Sequence, residues 1–240
     1  MLVRNRLLNY EDCYIYQDTK FFKFSLDSVL LANFVTINKK DRKILDMATG
    51  NAPIPMLLTF RTQAKIYGVE LQKIIYNLGI VSIKENGMDN QIKLINDDVK
   101  NLVNIFESDT FDVITCNPPY FKTGNDKYKN SNEVKTLARH EDTLKLEDVL
   151  AVSRRILKNN GKLALVHRTE RFAEILMLMK KYNIEPKKVQ FIYPKKGKNS
   201  DLVLIEGVKN GKSGLKLLSP LIIHTDTGEY TDDVKMMFGE

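Results

Sequence analysis

Lys43–Phe60, KILDMATGNAPIPMLLTF, is the stretch that decides the fold. Lys43–Ala48 is a short apolar run interrupted only by Asp46, which reads as a buried strand. A turn of small residues follows, Ala48-Thr49-Gly50-Asn51-Ala52. Pro53–Phe60 then reads as a helix start, because proline is tolerated in a first turn. Strand, small-residue turn and helix together make a nucleotide-type pocket, with the ligand beyond the carboxyl end of the strand. The same alternation continues along the chain. Ala64–Val69, Gln91–Ile95, Phe111–Thr115 and Lys162–Val166 read as further strands. Gln72–Glu85 is predicted to be a helix with Ile74, Ile75, Leu78, Val81 and Ile83 at its apolar positions. Leu146–Lys158 is predicted to be a helix stopped near Asn159-Asn160-Gly161, and Glu170–Lys181 a strongly apolar one. Lys188–Ile192 and Leu202–Glu206 lie too close together for a helix between them, so they are expected to pair as an antiparallel hairpin at one end of the sheet. The expectation is an α/β doubly wound fold: a mostly parallel seven-stranded sheet with helices on both faces.

Composition agrees with that class. The 240 residues are 43% hydrophobic, enough for a large core, and 28% charged with 9% aromatic, which excludes a disordered or collagen-like chain. No repeat or low-complexity linker divides the chain, so residues 1–240 are expected to form a single domain. No apolar run reaches the roughly 18–20 residues that span a bilayer. The N-terminus, MLVRNRLLNYED, has no long apolar segment of the secretory kind. Cys13 and Cys116 are not a disulfide framework, and the spacing of two Cys and three His offers no metal set. A cytoplasmic protein, with no membrane and no metal, is expected. The net charge is +7, and Lys180–Lys216 holds ten lysines against Glu185, Asp201 and Glu206, a surplus equal to that of the whole chain. Such a segment can lie along a polyanion, or simply be a solvated lysine-rich surface.

Acidic residues mark successive strand ends. The first strand carries Asp46 into the Ala48–Ala52 turn; the second ends at Glu70-Leu71, 20 residues beyond Gly50; the third ends at Asn96-Asp97-Asp98. An acid at the second position can accept from both ribose hydroxyls, and one at the third from an adenine amino group. A dinucleotide fold would want GxGxxG, and only Gly50 is in place, so a pyrophosphate loses weight. Taken singly, each acid also fits a helix N-cap or a solvated loop. Asp27, in Phe24-Ser25-Leu26-Asp27-Ser28, opens an apolar helix over Val29–Val35; it fits either an N-cap or a contact with a charged amino-acid end of the ligand.

The fourth strand runs into Cys116-Asn117-Pro118-Pro119-Tyr120. The prolines make a stiff turn without N–H groups, so the Asn117 and Pro118 carbonyls can point into the site; the Asn117 side chain adds an amide acceptor, and Tyr120 offers a ring face for stacking. These parts suit one chemical problem. An exocyclic amine on a conjugated ring is a poor nucleophile because its lone pair is delocalised. Two acceptors holding its N–H bonds favour a pyramidal nitrogen, whose lone pair can then attack a methyl sulfonium in line. A structural Pro-Pro turn is the plain alternative. Cys116 beside Asn117 fits thiol chemistry or, more simply, packing.

Asn117–Tyr120, with the Asp46–Gly50 turn and Glu70, resembles the S-adenosylmethionine-dependent amino methyltransferases of the NPPY type. Phe24–Ala32 (FSLDSVLLA), Arg139-His140-Glu141 and the closing Leu215–Tyr230 stretch resemble the subgroup acting on tRNA, the tRNA(Val) adenine-N6-methyltransferase family, which modifies the adenine next to the anticodon. The resemblance implies a seven-strand methyltransferase fold with S-adenosyl-L-methionine as cofactor and tRNA as partner. Matched position by position, Asp46, Ala48, Gly50 and Asn51 fall on the methionine-side turn, with Asp27 near it. Glu70 and Leu71 fall on the ribose side, Asp98 rather than Asp97 on the adenine, and Asn117, Pro118, Pro119 and Tyr120 on the catalytic tetrapeptide, Asn117 also facing the cofactor. Ala48 and Ala52 depart from the pattern, since relatives usually carry glycine there; each adds a Cβ where the cofactor passes close to the backbone.

Residues 1–42 are expected to cover the cofactor. Residues 121–140 are expected to form a flexible substrate loop in which Lys122, Lys127, Lys129 and Arg139 meet phosphates and Tyr128 stacks. Lys195, Lys196 and Lys198, between the two late strands, are expected to contact the tRNA backbone. A monomer is expected. Three rivals remain from the residues: methylation of a protein glutamine amide, methylation of DNA adenine, and a non-catalytic RNA-binding protein that keeps the cofactor fold.

Overall fold

The computed structural model describes residues 2–8, 13–18, 25–118 and 144–239. A two-stranded antiparallel sheet comes first, β1 (Leu2–Arg6) and β2 (Tyr14–Asp18), followed by α1 (Leu26–Phe34). The main sheet is then built from β3 (Lys43–Met47), β4 (Lys65–Val69), β5 (Ile92–Ile95), β6 (Phe111–Cys116), β7 (Leu157–Arg168), β8 (Ile184–Lys195), β9 (Leu202–Lys209), β10 (Lys216–Leu217) and β11 (Leu221–His224). Between and after these strands run α2 (Pro53–Thr59), α3 (Lys73–Glu85), α4 (Leu102–Ile105), α5 (Leu146–Ile156), α6 (Phe172–Lys181) and α7 (Asp232–Met237).

The strand order is β10-β8-β9-β7-β6-β3-β4-β5, with β11 also paired to β8. Among the described residues of this sheet, only β9 runs against its neighbours. The expected hairpin is present, with Ile192 opposite Leu202. It is not at an end of the sheet: β9 is wedged between β7 and β8, and β10 and β11 add to the far side of β8 in parallel. Among the described residues the sheet thus has nine strands where seven were expected. The additional two come from a short apolar stretch split by Pro220, which cannot donate to a ladder and so leaves two brief edge strands.

Neighbouring residues of the central strands point into separate cores. Ile44, Val113, Ala164, Val166 and Leu204 pack with α1 and α2, whereas Leu45, Ile114, Leu163, Leu165 and Ile205 pack with α5 and α6. Both faces of the sheet are therefore covered, which is what near-continuous apolar strands require. The Asn159-Asn160-Gly161 stop does not cap a helix. Helix α5 ends at Ile156 and β7 begins at once, and these residues form an irregularity in its pairing with β6, between the Phe111–Leu157 and Val113–Lys162 partners. Asn160, at φ +63°, supplies the left-handed residue that such a bulge uses.

Candidate active site

The parallel register aligns the strand ends. Met47 lies opposite Val69 and Cys116, Val69 opposite Ile95, and Cys116 opposite Leu165. The Ala48–Ala52 turn, Glu70, Asn96–Asp98 and Asn117 consequently leave the sheet from one edge. The ladder continues into the turn, where Thr49 N donates to Val69 O at 2.9 Å and Glu70 N to Ile95 O at 3.0 Å.

The turn itself is unusual in its backbone. Ala48, Gly50 and Ala52 all have positive φ, at 53°, 62° and 71°. Gly68 and Gly79 hold it close: a Cβ on Gly68 would stand 2.9 Å from Thr49 Cγ2, and one on Gly79 would stand 3.3 Å from the Asn51 carbonyl carbon. Asn51 is buried and its amide nitrogen donates to Tyr16 O at 2.7 Å, which ties the turn to β2. The hairpin is further fixed to α3, through Tyr16 N on Ser82 Oγ at 2.9 Å and Tyr14 N on Asn86 Oδ1 at 2.9 Å.

Two buried carboxylates lie beside the turn. Glu70 accepts from Gly50 N through Oε2 at 3.0 Å and from Gln72 N through Oε1 at 2.8 Å. Burial pushes its carboxyl above the usual range, and these backbone N–H groups pull it back. A carboxylate has about four lone-pair sites, so two such bonds leave acceptor capacity for hydroxyls. Asp46 is fully buried and accepts from Thr115 Oγ1 at 2.6 Å through Oδ1. Burial pushes its carboxyl up to about 7 against the pull of the Thr115 and Thr49 hydroxyls, and the Glu70 charge adds to the rise. The Thr49 hydroxyl is near enough to draw the Asp46 carboxyl down, yet neither Asp46 Oδ2 nor Thr49 Oγ1, both buried, has a partner in full hydrogen-bond geometry. Orphaned polar atoms of this kind are costly unless something else satisfies them. Exposed Leu71 follows Glu70 and adds an apolar surface.

Asp97 and Asp98 are half-buried at the end of β5. Asp97 Oδ1 accepts from Asp98 N and Asn101 Nδ2, both at 2.7 Å, and Asp98 Oδ1 accepts from Lys100 N at 2.9 Å. Asn96 Nδ2 donates to Glu70 O at 2.8 Å and Leu71 O at 3.0 Å, locking the second strand end to the third.

Asp27 is not the N-cap of α1. Ser25 occupies that position, and Asp27 sits half-buried in the first turn, its carboxyl raised by burial and opposed by the charge of Arg168 at the end of β7. Asn117 Nδ2 donates to Ser28 Oγ in the same turn, at 3.2 Å. The Cys116 thiol is buried and pushed well above its ordinary value, so it packs and does not ionise. Lys195, Lys196 and Lys198 reach the same rim, because β8 runs parallel to β7 and β6; Lys198 N closes the turn on Lys195 O at 3.2 Å. The rim is joined to the end of β7 by Thr169 N on Asp201 O at 3.1 Å. Pro119, Tyr120, Lys122, Lys127, Tyr128, Lys129, Arg139 and the 121–140 loop lie outside the described residues.

Sequence reasoning missed Ser28, Thr115 and Arg168. Ser28 and Thr115 both lie within quoted segments, but nothing in spacing links residue 28 to 117.

The methyltransferase small domain family matches residues 23–188. The chain belongs to that family. S-adenosylmethionine is its cofactor, and the buried acids and orphaned atoms around the Ala48–Ala52 turn fit a ligand with donor groups. A Flavobacterium psychrophilum protein named tRNA1(Val) (adenine(37)-N6)-methyltransferase is 25% identical over 231 residues, 95% of each chain. A Histophilus somni protein of the same name is 27% identical over 241 residues, 98% of this chain and 97% of its own. Among solved structures, an Agrobacterium tumefaciens protein described as a predicted O-methyltransferase superposes with a TM-score of 0.71 at 20% identity, over 89% of this chain and 95% of its own. The geranyl diphosphate C-methyltransferase of Streptomyces coelicolor, solved with S-adenosyl-L-homocysteine, gives 0.58 at 13% identity over 76% of each chain. These likenesses speak for the methyltransferase fold. Among the described residues no helix is long and apolar enough to cross a membrane.

Proposed function

We propose that this methyltransferase acts on tRNA, transferring a methyl group to the exocyclic N6 amine of an adenine in the anticodon loop, with tRNA(Val) as the species. The observation that carries the reading is the alignment of Asn117 with the acidic strand ends: a side chain able to grip an amine leaves the sheet level with the turn and carboxylates suited to an adenosine. The names of the full-length relatives support the tRNA substrate.

Asp46, Ala48, Gly50 and Asn51, with Asp27 near them, would hold the methionine side of the cofactor. Glu70 and Leu71 would take the ribose, and Asp98, with Asp97 beside it, the adenine. When bound, S-adenosylmethionine supplies an electrophilic methyl carbon. Asn117 Oδ1 and the Pro118 carbonyl accept the two N–H bonds of the target amine and orient its lone pair; Tyr120 stacks on the base, and Pro119 stiffens the turn. No strong base is needed, because the nitrogen becomes acidic only as the bond forms. Catalysis is orientation and placed dipoles. Residues 1–42 cover the cofactor, and the 121–140 loop and the Lys195–Lys198 rim meet RNA, whose target base is most easily presented by a single-stranded loop. A monomeric, cytoplasmic protein of one domain goes with this reading.

The test incubates the protein with labelled S-adenosylmethionine and bulk unmodified tRNA and maps the labelled nucleosides. Label in N6-methyladenosine of an anticodon loop is expected; no transfer, or label on another atom, refutes the reading. Asn117→Ala should abolish transfer while cofactor affinity stays within about threefold, since the side chain acts on the accepting nitrogen.

A further inference from the structure

The carboxyl edge of the sheet is divided at β6. The acidic ends of β3, β4 and β5 lie on one side of it; β7, β9 and β8 lie on the other and lead to the Lys195–Lys198 rim. Asn117, at the end of β6, stands at the boundary. An RNA that places a base at Asn117 and also meets the rim must pass over the end of β7, and the residue there is Arg168.

Register, face and backbone all place Arg168 in that path. Cys116 pairs with Leu165, so Arg168 stands on the adjacent strand two residues further out than the level of Asn117. That is about 7 Å outward and about 5 Å to the side, from the rise per residue and the spacing of strands. A base gripped by its amine at Asn117 has its phosphates on the far side of its sugar, a displacement of this order. Side chains alternate along a strand, and Ala164 and Val166 pack with α1, which puts Arg168 on the α1 face. Asn117 is on that face too, bonded to Ser28 of α1, and the Arg168 charge reaches Asp27 in the same helical turn. The backbone is fixed: Arg168 pairs with Leu202 in the ladder, its N donates to His167 Nδ1 at 2.8 Å, and Thr169 N donates to Asp201 O at 3.1 Å. Arg168 is half-buried, so a bond from it to an anion is screened less than one from an exposed lysine. The next arginine, Arg171, spends its guanidinium on a two-pronged pair with Glu174, at 2.8 and 2.6 Å.

We propose that Arg168 binds a phosphate flanking the target adenosine, gripping the RNA backbone while Asn117 holds the amine. The proposal rests on the methyl-transfer reading above and adds to it a contact between the catalytic corner and the lysine rim. A guanidinium matches two phosphate oxygens with parallel N–H bonds, and its remaining donors can still face Asp27. The target nucleotide is then held at two points, amine and phosphate, and Lys195, Lys196 and Lys198 take phosphates further along.

The test titrates a synthetic anticodon stem-loop RNA of tRNA(Val) into the protein over a range of salt. Arg168→Gln should weaken binding roughly tenfold at low salt and lower the salt slope by about 0.7, with S-adenosylmethionine affinity within about twofold. Arg168→Lys should keep the slope and lose part of the affinity, because an ammonium keeps the charge without the fork. The phosphates on either side of the target adenosine are then replaced, one at a time, by an uncharged methylphosphonate. One replacement should cost the wild type about as much as Arg168→Gln does, and cost Arg168→Gln almost nothing more. An unchanged salt slope in Arg168→Gln overturns the proposal. So do additive losses with both replacements, which put the contact elsewhere on the RNA, and a loss of S-adenosylmethionine affinity, which gives the guanidinium to the cofactor. Should Arg168→Gln not fold, the affinity gap between wild type and Arg168→Lys should close on one of the two modified RNAs, and a gap that persists on both overturns the proposal. A wild-type protein that binds this RNA but methylates no adenine refutes the methyl-transfer reading, while the slope and the methylphosphonate comparison still judge Arg168; one that binds no RNA overturns both.

Discussion

Replacing Ala48 with glycine should stabilise the protein, and the same change at Ala52 should not. Both alanines have left-handed backbone, φ +53° and +71°, where a Cβ crowds the following carbonyl at a cost of about 1–2 kcal/mol. Glycine removes that cost but gives the unfolded chain more freedom, returning about 0.4–1 kcal/mol. Relief of backbone strain is therefore worth about 0.5–1 kcal/mol at either position. The methyl groups differ. Ala52 is completely buried, and taking its methyl from the core costs about 0.8 kcal/mol, which cancels the gain. Ala48 is half-buried and loses about half as much. Ala48→Gly should gain about 0.5 kcal/mol while Ala52→Gly stays near zero or slightly below it. Urea unfolding measures both, with the midpoint shifting at unchanged slope. For a chain of 240 residues, Tm should rise by about 1–2 °C in Ala48→Gly. A loss of stability in Ala48→Gly, or a larger gain at Ala52 than at Ala48, would show that the turn is not strained in this way.

Asp46→Asn should remove a pH dependence. The folded carboxyl titrates near 7, well above the ordinary value of 3.8, so the native state keeps its proton where the unfolded chain has lost it. Stability should therefore fall as pH rises from about 4 to 7, by up to about 4 kcal/mol, and Asp46→Asn should flatten that fall; thermal melts at pH 5 and pH 8 that stay parallel in the two proteins would contradict this. Converting Lys195, Lys196 and Lys198 to glutamate should weaken tRNA binding and reduce its salt slope by up to about 2–3, with S-adenosylmethionine binding intact; an unchanged RNA affinity refutes their role. Gly68→Ala should destabilise by about 1–3 kcal/mol in urea unfolding, because its Cβ would stand 2.5 Å from Leu94 Cδ2 and 2.9 Å from Thr49 Cγ2, and a neutral result would mean that this junction yields easily.

The sheet was legible from residue order because each central strand is buried on both faces and each helix has one apolar stripe, so short apolar runs alternate with helical periods along the chain. The acidic strand ends were legible for the same reason: Glu70 and Asp97-Asp98 each close an apolar run, and Asp46 interrupts one just before its end. Edge strands β10 and β11 were not, since their two and four residues carry too little pattern and pair only because β8 offers an open side. The Asn-Asn-Gly bulge in β7 read as a helix stop because the same left-handed residues serve both turns.

What residues alone determined is a matter of local chemistry: which segments must be buried, where small residues let the backbone bend, and which side chains can accept or donate. What the tertiary structure decided is a matter of partners. Parallel register brings Asn117 level with Asp46 and Glu70, burial raises the Asp46 carboxyl, and the packing of α1 against the sheet sets Ser28 on the Asn117 amide. A hydrogen bond or a desolvation cost depends on distance in space, and residues 28, 46, 70 and 117 acquire those distances only when the sheet forms.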